Sequence, residues 1–395
     1  MVKIILKKGR DESLRRFHPW VFSGAIAQIN GNPAEGDIVA VHSAQGEYLA
    51  AGHYQIGSIA VRILSFDSDP NSPEFWTDSI ARALQLRRSY GLYGNPQTNC
   101  FRLVHGEGDG LPGLIIDWYD GVCVMQAHSV GMFRSKAKIT QALRDVFGDE
   151  LKAVYDKSSG TAPFKAGLDL VDGYLYKSED FNLSELSVSE NSCKFIVNWE
   201  EGQKTGFFLD QRDNRALVGS LAKDRRVLNL FCYTGGFSIY ALNSGAQSVD
   251  SVDSSARAMA LVDRNVALGC YTNHHSYCED AIEFLSKTPE GKYDLMIVDP
   301  PAFAKHRGAL KNALRAYQRL NAAAISKVAP GGFIFTFSCS QVVDKISFAN
   351  VVFSAAAQTG RSVRIIDRLC QGADHPVSIY HPEGEYLKGL LLYVE

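Results

Sequence analysis

Val227-Leu228-Asn229-Leu230-Phe231-Cys232-Tyr233-Thr234-Gly235-Gly236-Phe237-Ser238 reads as an apolar strand, a Gly-rich turn and the start of a helix. Paired glycines let backbone approach a ligand closely, and a helix N-terminus favours a negative group. Eighteen residues beyond Gly235, Val249-Asp250-Ser251-Val252-Asp253 ends a second strand with a carboxylate. That is where a nucleotide site in an open α/β sheet places its ribose-gripping acid. The loop is not G-x-G-x-x-G, which weakens a dinucleotide reading. A ligand such as S-adenosylmethionine carries no phosphate, so the helix end would meet a carboxylate and a variant loop suffices.

Around this stretch, from about Lys194 onward, strands alternate with helices, the signature of a parallel sheet with crossover connections. Strands are expected at Arg226–Phe231, Ser248–Val252, Ser276–Cys278, Leu295–Val298, Phe333–Phe337 and Val363–Arg368. Helices are expected at Arg212–Leu221, Phe237–Asn243, Ala256–Leu268, Ala281–Leu285, Asn312–Val328 and Ile346–Thr359. A closing strand at Leu390–Val394 fits a sheet edge.

Towards the N-terminus the texture changes. Residues 1–70 read as a small all-β barrel, with strands at Val2–Leu6, Ile38–Val41, Tyr48–Gly52 and Ile59–Leu64. The polar, Pro-bearing run Asp67-Ser68-Asp69-Pro70-Asn71-Ser72-Pro73 marks a boundary. An α+β block follows over 74–190: a helix at Glu74–Tyr90, strands at Phe101–His105, Leu114–Trp118 and Val122–His128, a helix at Ser135–Phe147 and a strand at Ala153–Asp156. Hairpin turns are expected at Asp172-Gly173 and at Glu190-Asn191-Ser192. The fold class is therefore α/β, with a C-terminal Rossmann-like sheet over 191–395, a central α+β domain and an N-terminal β-barrel.

At 395 residues, with 46% hydrophobic and 21% charged positions, the composition is that of an ordinary globular protein of two or three domains. No apolar run reaches the length of about eighteen residues that a membrane span needs, and no signal peptide is evident, so the expectation is a cytoplasmic protein without a membrane partner. Eight cysteines at 100, 123, 193, 232, 270, 278, 339 and 370 form no C-x-x-C pair, which argues against a zinc ribbon or redox dithiol; no metal is expected. Net charge is -2, but Lys3, Lys7, Lys8, Arg10, Arg15 and Arg16 crowd the first sixteen residues, against only Asp11 and Glu12. Such a local basic patch can serve phosphates, and Arg82, Arg87 and Arg88 offer a second basic set.

Four stretches carry the chemistry. Asp299-Pro300-Pro301-Ala302-Phe303 ends one strand with a pre-ordered turn, because two prolines fix the backbone and remove donors. Asp299 could grip a ring nitrogen or amino group of a cytosine, and Phe303 could stack on a flipped base. Ser338-Cys339-Ser340 ends the next strand with a thiol. Ring carbon 5 of cytosine is too weak a nucleophile to attack a methyl sulfonium, and thiolate addition at carbon 6 activates it; a cysteine suits that task because it attacks near neutral pH and leaves readily. Cys278-Glu279-Asp280-Ala281 places Asp280 either against an adenine amino group or as a helix cap. Lys204-Thr205-Gly206-Phe207-Phe208-Leu209-Asp210-Gln211-Arg212 precedes the first sheet strand and could lid a cofactor. Together these point to methylation of a pyrimidine ring carbon. An RNA methyltransferase acting on a purine or exocyclic nitrogen, with Cys339 structural, and a non-catalytic RNA-binding protein of ribosome assembly remain as alternatives.

Long motifs in fixed order extend this reading: Arg16-Phe17-His18-Pro19-Trp20-Val21-Phe22-Ser23-Gly24, Gly108-Asp109-Gly110-Leu111-Pro112-Gly113-Leu114, the Lys204–Arg212 and Asn229–Phe237 stretches, Asp299–Phe303, Ser338-Cys339-Ser340, Asp374-His375-Pro376-Val377, and Pro382-Glu383-Gly384-Glu385-Tyr386-Leu387-Lys388-Gly389. In these the chain resembles, end to end, the bacterial cytosine-5 methyltransferases of 23S ribosomal RNA that carry an N-terminal PUA domain. The resemblance implies a class I methyltransferase domain, S-adenosylmethionine as cofactor, 23S rRNA or a large-subunit assembly intermediate as partner, and a homodimer. It implies Cys339 as the attacking thiol with Asp299 beside it, since Ala302 stands where other RNA cytosine methyltransferases carry a second cysteine. Cofactor contacts would come from Asn229, Phe231, Tyr233, Thr234, Gly235, Gly236, Phe237, Asp253, Asp280, Asp210, Gln211, Arg212 and Asp299. Substrate contacts would come from Pro300, Pro301, Phe303, Lys7, Lys8, Arg10, Arg15 and Arg16.

Overall fold

The strand–helix alternation after Lys194 folds as a seven-stranded sheet in the computed structural model, which describes residues 1–163, 167–304 and 306–395. Its strands are β1 (Arg226–Leu230), β2 (Ser248–Val252), β3 (His274–Tyr277), β4 (Tyr293–Val298), β5 (Val328–Ser338), β6 (Val363–Leu369) and β7 (Lys388–Val394). Their spatial order is β3-β2-β1-β4-β5-β7-β6. Helix α1 (Arg212–Ala222) precedes β1, and between the strands run α2 (Gly236–Asn243), α3 (Ala256–Leu268), α4 (Ala281–Lys287), α5 (Leu310–Lys327) and α6 (Lys345–Thr359). The strand order turns back at β1, with β2 on one side and β4 on the other, both parallel to it. Open sheets bind ligands at such a switch point, beyond the carboxyl ends of the strands. Leu228, Leu230, Met296, Val298 and Ile334 are buried within one apolar cluster, which explains why these strands read as continuous hydrophobic runs.

This sheet belongs to a unit made of Ser189–Ile196, Asp210–Gly372 and Glu385–Glu395. One expectation needs correction here. The closing strand is not an edge: β7 lies between β5 and β6 and runs antiparallel to both. Its Leu390, Leu391, Leu392 and Val394 are all buried, as an interior strand requires, and the edge is β6, where Arg364 through Arg368 are exposed. The turn expected at Glu190-Asn191-Ser192 does form, with Asn191 at φ 49° and Ser192 at φ 68°, the left-handed pair that a tight two-residue hairpin demands.

The other unit comprises Met1–Val188, Val197–Leu209 and Ala373–Gly384. Its N-terminal sheet has six strands in the order Trp20–Phe22, Ile59–Ser65, Tyr48–Tyr54, Ile38–His42, Val2–Leu6 and Ile26–Asn30. Trp20–Phe22 and Ile26–Asn30 are additions to the strands expected; the first has only three residues, and the second does not alternate cleanly. A second sheet of five strands holds Cys100–His105, Leu114–Tyr119, Val122–Ala127, Ala153–Asp156 and Gly173–Lys177. Helices Phe75–Ser89 and Lys136–Phe147 supply residues to the same core as these strands. Asp172-Gly173 is not a hairpin turn: Gly173 opens a strand and pairs with Asp156, at the far end of a long connection. Among the described residues no helix is long and apolar enough to cross a membrane.

The second basic set also needs correction. Arg82 and Arg88 are exposed, but Arg87 is a core residue at 1% exposure. Its guanidinium holds the Asp109 carboxylate with both terminal nitrogens and donates to the carbonyls of Arg102 and Asp374, each at 2.7 Å. Arg87 therefore cannot reach a phosphate.

Candidate active site

The Gly-rich turn leaves β1 through a strained path. Phe231, Tyr233 and Gly235 take φ of 58°, 48° and 80°. For the two non-glycine residues such left-handed backbone costs on the order of 1–3 kcal/mol each, and outliers of this kind gather at functional sites. The loop is clamped from several sides. Gly235 N–H donates to the Cys232 carbonyl, Asn265 Nδ2 donates to the Thr234 carbonyl, and Tyr233 N–H donates to Asp253 Oδ2 at 3.0 Å. Asp253 Oδ1 accepts from Ser255 N–H at 2.9 Å, so the carboxylate beyond β2 is fixed at the rim of the loop. A side chain at Gly235, already at a φ of 80°, would meet Val262 at 3.3 Å, and one at Gly236 would meet Arg215 Cδ at 3.0 Å, so either would press its neighbour aside.

Other sequence-predicted cofactor residues support the loop from within. Asn229 is 1% exposed and donates from Nδ2 to Ser238 Oγ at 2.9 Å, joining β1 to α2. Phe237 is buried and stacks on Phe337 at 5.7 Å. Asp280 takes its capping alternative: it is the N-cap of α4, and its Oδ1 accepts from the N–H groups of Ile282 and Glu283. Arg212 is 2% exposed with its Nε 3.5 Å from Glu190 Oε2, inside the protein rather than over the loop.

Beyond β4 and β5 the two chemical motifs stand side by side, because these strands pair in parallel with Val298 opposite Thr336. Asp299 follows β4, and its Oδ2 accepts from Gln211 Nε2 at 2.9 Å. Gln211 is oriented in turn, its Oε1 accepting from Asn214 Nδ2 at 2.6 Å. Asp210 accepts from the Tyr386 hydroxyl at 2.6 Å. Pro300 is buried and Pro301 exposed, while Phe303 is half-buried with its ring 4.7 Å from that of Tyr317.

Cys339 follows β5 and is partly exposed, between Ser338 and Ser340 at 0% and 1% exposure. Both flanking hydroxyls point inward to one residue: Ser338 Oγ donates to Tyr317 Oη at 3.0 Å, and Ser340 Oγ lies 3.1 Å from the same oxygen. Ser340 Oγ also accepts from Ala304 N–H at 3.4 Å. The serines thus anchor the turn while the residue between them stays partly exposed. Tyr317, on α5, touches both chemical motifs, and burial pushes its phenol pKa up. Sequence reading missed it, since one Tyr on an amphipathic helix carries no signal of its own. Lys388, at the start of β7, was missed too. A lone lysine opening a run of buried leucines is the signal that would have found it.

In the N-terminal sheet Lys7, Lys8, Arg10 and Arg16 are exposed. Lys7 Nζ donates to the Gly24 carbonyl at 2.9 Å. Arg15 is exposed as well, with its guanidinium shared between Asp11 and Glu47.

Comparison with known proteins adds to this geometry. Residues 4–66 match the PUA-like domain family, and residues 101–391 match the S-adenosylmethionine-dependent methyltransferase family. Curated relatives called ribosomal RNA large subunit methyltransferase I include those of Alteromonas mediterranea (40% identical, 99% of this chain and 98% of the relative) and Pseudoalteromonas atlantica (41% identical, 99% of each). Among solved structures, SMU.776 complexed with SAH superposes over all of both chains with a TM-score of 0.84 at 21% identity. Trm5b from Pyrococcus abyssi covers 71% of this chain and 74% of its own, with a TM-score of 0.53 at 17% identity. At these identities the structures speak for the fold.

Proposed function

We propose that this chain, which belongs to the S-adenosylmethionine-dependent methyltransferases and carries a PUA-like domain, methylates carbon 5 of a cytosine in large-subunit (23S) ribosomal RNA through Cys339. The observation that carries the reading is the thiol's setting. Cys339 stays partly exposed between two buried, Tyr317-bound serines, at the carboxyl end of β5, next to the strand that delivers Asp299. The names of the curated relatives supply the substrate class.

The clamped Gly-rich turn, with Asp253 at its rim, fits the cofactor: tight backbone for close approach, and a fixed carboxylate to accept from ribose hydroxyls. When bound, S-adenosylmethionine supplies an electrophilic methyl group. The protein's own residues do the rest. The Cys339 thiolate forms a bond to carbon 6, and the electron pair of the 5,6 double bond becomes available at carbon 5 for methyl transfer. Asp299, held by Gln211, carries the ring-nitrogen side of the base, and Phe303 borders it. A base removes the carbon 5 proton, the carbon–sulfur bond breaks, and the double bond returns with Cys339 regenerated. Lys8, Arg10 and Arg16 hold backbone phosphates from the N-terminal domain, taken as residues 1–70, with a central domain over 74–190 and the catalytic domain over 191–395.

A strain lacking this protein tests the assignment. Nucleoside mass spectrometry of its 23S rRNA is expected to show the loss of one 5-methylcytidine, restored by the wild-type gene. An unchanged 5-methylcytidine content, with another methylated nucleoside lost instead, would give the enzyme a different target atom.

A further inference from the structure

Lys388 opens β7 directly opposite Ser338 of β5, one residue before Cys339. Its residue is 5% exposed, and its Nζ donates to two backbone carbonyls, those of Ser340 and Tyr386, each at 2.6 Å. The cation is thus fixed against the turn that presents the thiol. Neither carbonyl neutralises it. The nearby carboxylates are turned to other tasks: Glu385 pairs with Lys345, and Asp344 caps α6 by accepting from Ser347 N–H. A buried cation without a carboxylate of its own is costly to keep and needs an explanation. An anion forming beside it supplies one.

We propose that Lys388 is a positioning residue whose ammonium holds the Cys339–Ser340 turn in place and stabilises the Cys339 thiolate. The inference rests on the functional reading above, in which Cys339 must ionise to attack. A neighbouring cation lowers a thiol's pKa by favouring its charged form. The electrostatics of the site agree. Burial pushes Lys388 down to about 8, while the charges of Cys339, Asp344 and Glu385 oppose that fall and Lys345 adds to it. At pH 7 Lys388 therefore still carries its proton in most molecules. Across the turn, Tyr317 feels the same Cys339 charge. Removing the Lys388 charge therefore raises the pKa of Cys339, so the thiolate fraction at neutral pH falls.

The test is the pH dependence of Cys339 alkylation by iodoacetamide, read peptide by peptide, with the exposed Cys278 as internal reference. In Lys388→Met the Cys339 midpoint is expected to rise by about one unit, with alkylation about tenfold slower at pH 7 and Cys278 unchanged. An unshifted midpoint in the folded variant would overturn the inference. Should Lys388→Met not fold, the reciprocal measurement serves. Coupling is mutual, so in full-length protein carrying 13C-labelled lysine, Cys339→Ala should lower the NMR-observed pKa of Lys388. An unmoved Lys388 titration is then the contrary result. The two readings fail separately. Methyl transfer that survives Cys339→Ala removes the functional reading and leaves the alkylation shift standing; an unshifted midpoint with Cys339→Ala inactive removes only the role of Lys388.

Discussion

Cys339→Ala is expected to abolish methylation of ribosomal RNA, by at least about a thousandfold, while leaving S-adenosylmethionine affinity within about twofold of wild type. A thousandfold is about 4 kcal/mol of barrier, the least that loss of covalent activation of carbon 5 should remove. The second half of the prediction follows from the layout. Most cofactor contacts are expected beyond β1 and β2, at the Gly-rich turn and Asp253, and none of those expected falls on Cys339, which lies beyond β5. Cys339 is partly exposed, and its anchors are the neighbouring serines and Tyr317, so its side chain can be shortened without removing the hydroxyl contacts. Calorimetric titration for the cofactor and nucleoside mass spectrometry for the product separate the two effects. Turnover retained in Cys339→Ala would move the chemistry to Asp299-Pro300-Pro301-Ala302-Phe303 and favour methylation at an exocyclic nitrogen. Cofactor affinity lost together with turnover would instead mark Cys339 as a structural support.

Glu190→Ala should cost the methyltransferase unit on the order of 3–5 kcal/mol. Glu190 is 0% exposed and takes Arg215 with both oxygens, Nε and Nη2 each at 2.8 Å. It also accepts from the Tyr240 hydroxyl at 3.0 Å and faces Arg212. Burial works against the charge of Arg215, but the carboxylate outweighs it and holds the guanidinium above its ordinary pKa. Without Glu190 two buried arginines lose their shared counter-ion. The Arg215 side chain lies directly under Gly236, so the cofactor turn should loosen with it. Thermal unfolding should show a fall of about 10 °C in the transition of this unit. A loss of less than about 1 kcal/mol would mean that water reaches these charges.

The parts of the fold legible in the sequence are those whose signals are local. Ser248–Val252, Ala256–Leu268 and Ala153–Asp156 form between the bounds expected, because each is bracketed by turn or capping residues. Ser255, for example, caps α3 by accepting from Ala258 N–H. Spatial order is not local. Nothing in Leu390–Val394 states that the last strand inserts between β5 and β6, although a run buried on both faces hints at an interior place. The Asp-Gly signal at Asp172-Gly173 misled for a related reason: it marks a tight bend, while the pairing of Gly173 with Asp156 is set by the strands.

The candidate site divides in the same way. Asp253, Asp299 and Cys339 were legible because each follows an apolar strand in a parallel sheet, where chemistry collects. Arg87 was misread because a sequence displays charge without its partners; Asp109 lies 22 residues away. Tyr317 and Lys388 could not be placed at all from sequence, since each meets Ser340 only after strand and helix have been brought together.

The covalent step can be examined directly with 23S rRNA transcribed to contain 5-fluorocytidine. Fluorine at carbon 5 cannot leave as a proton, so an enzyme that adds a thiolate at carbon 6 is trapped on its substrate after methyl transfer. With wild-type protein and S-adenosylmethionine, a denaturation-resistant protein–RNA complex is expected, and mass spectrometry should place the nucleotide on Cys339. Methylation of ordinary rRNA with no trapped complex on the fluorinated RNA, or a complex mapped to another residue, would contradict the account.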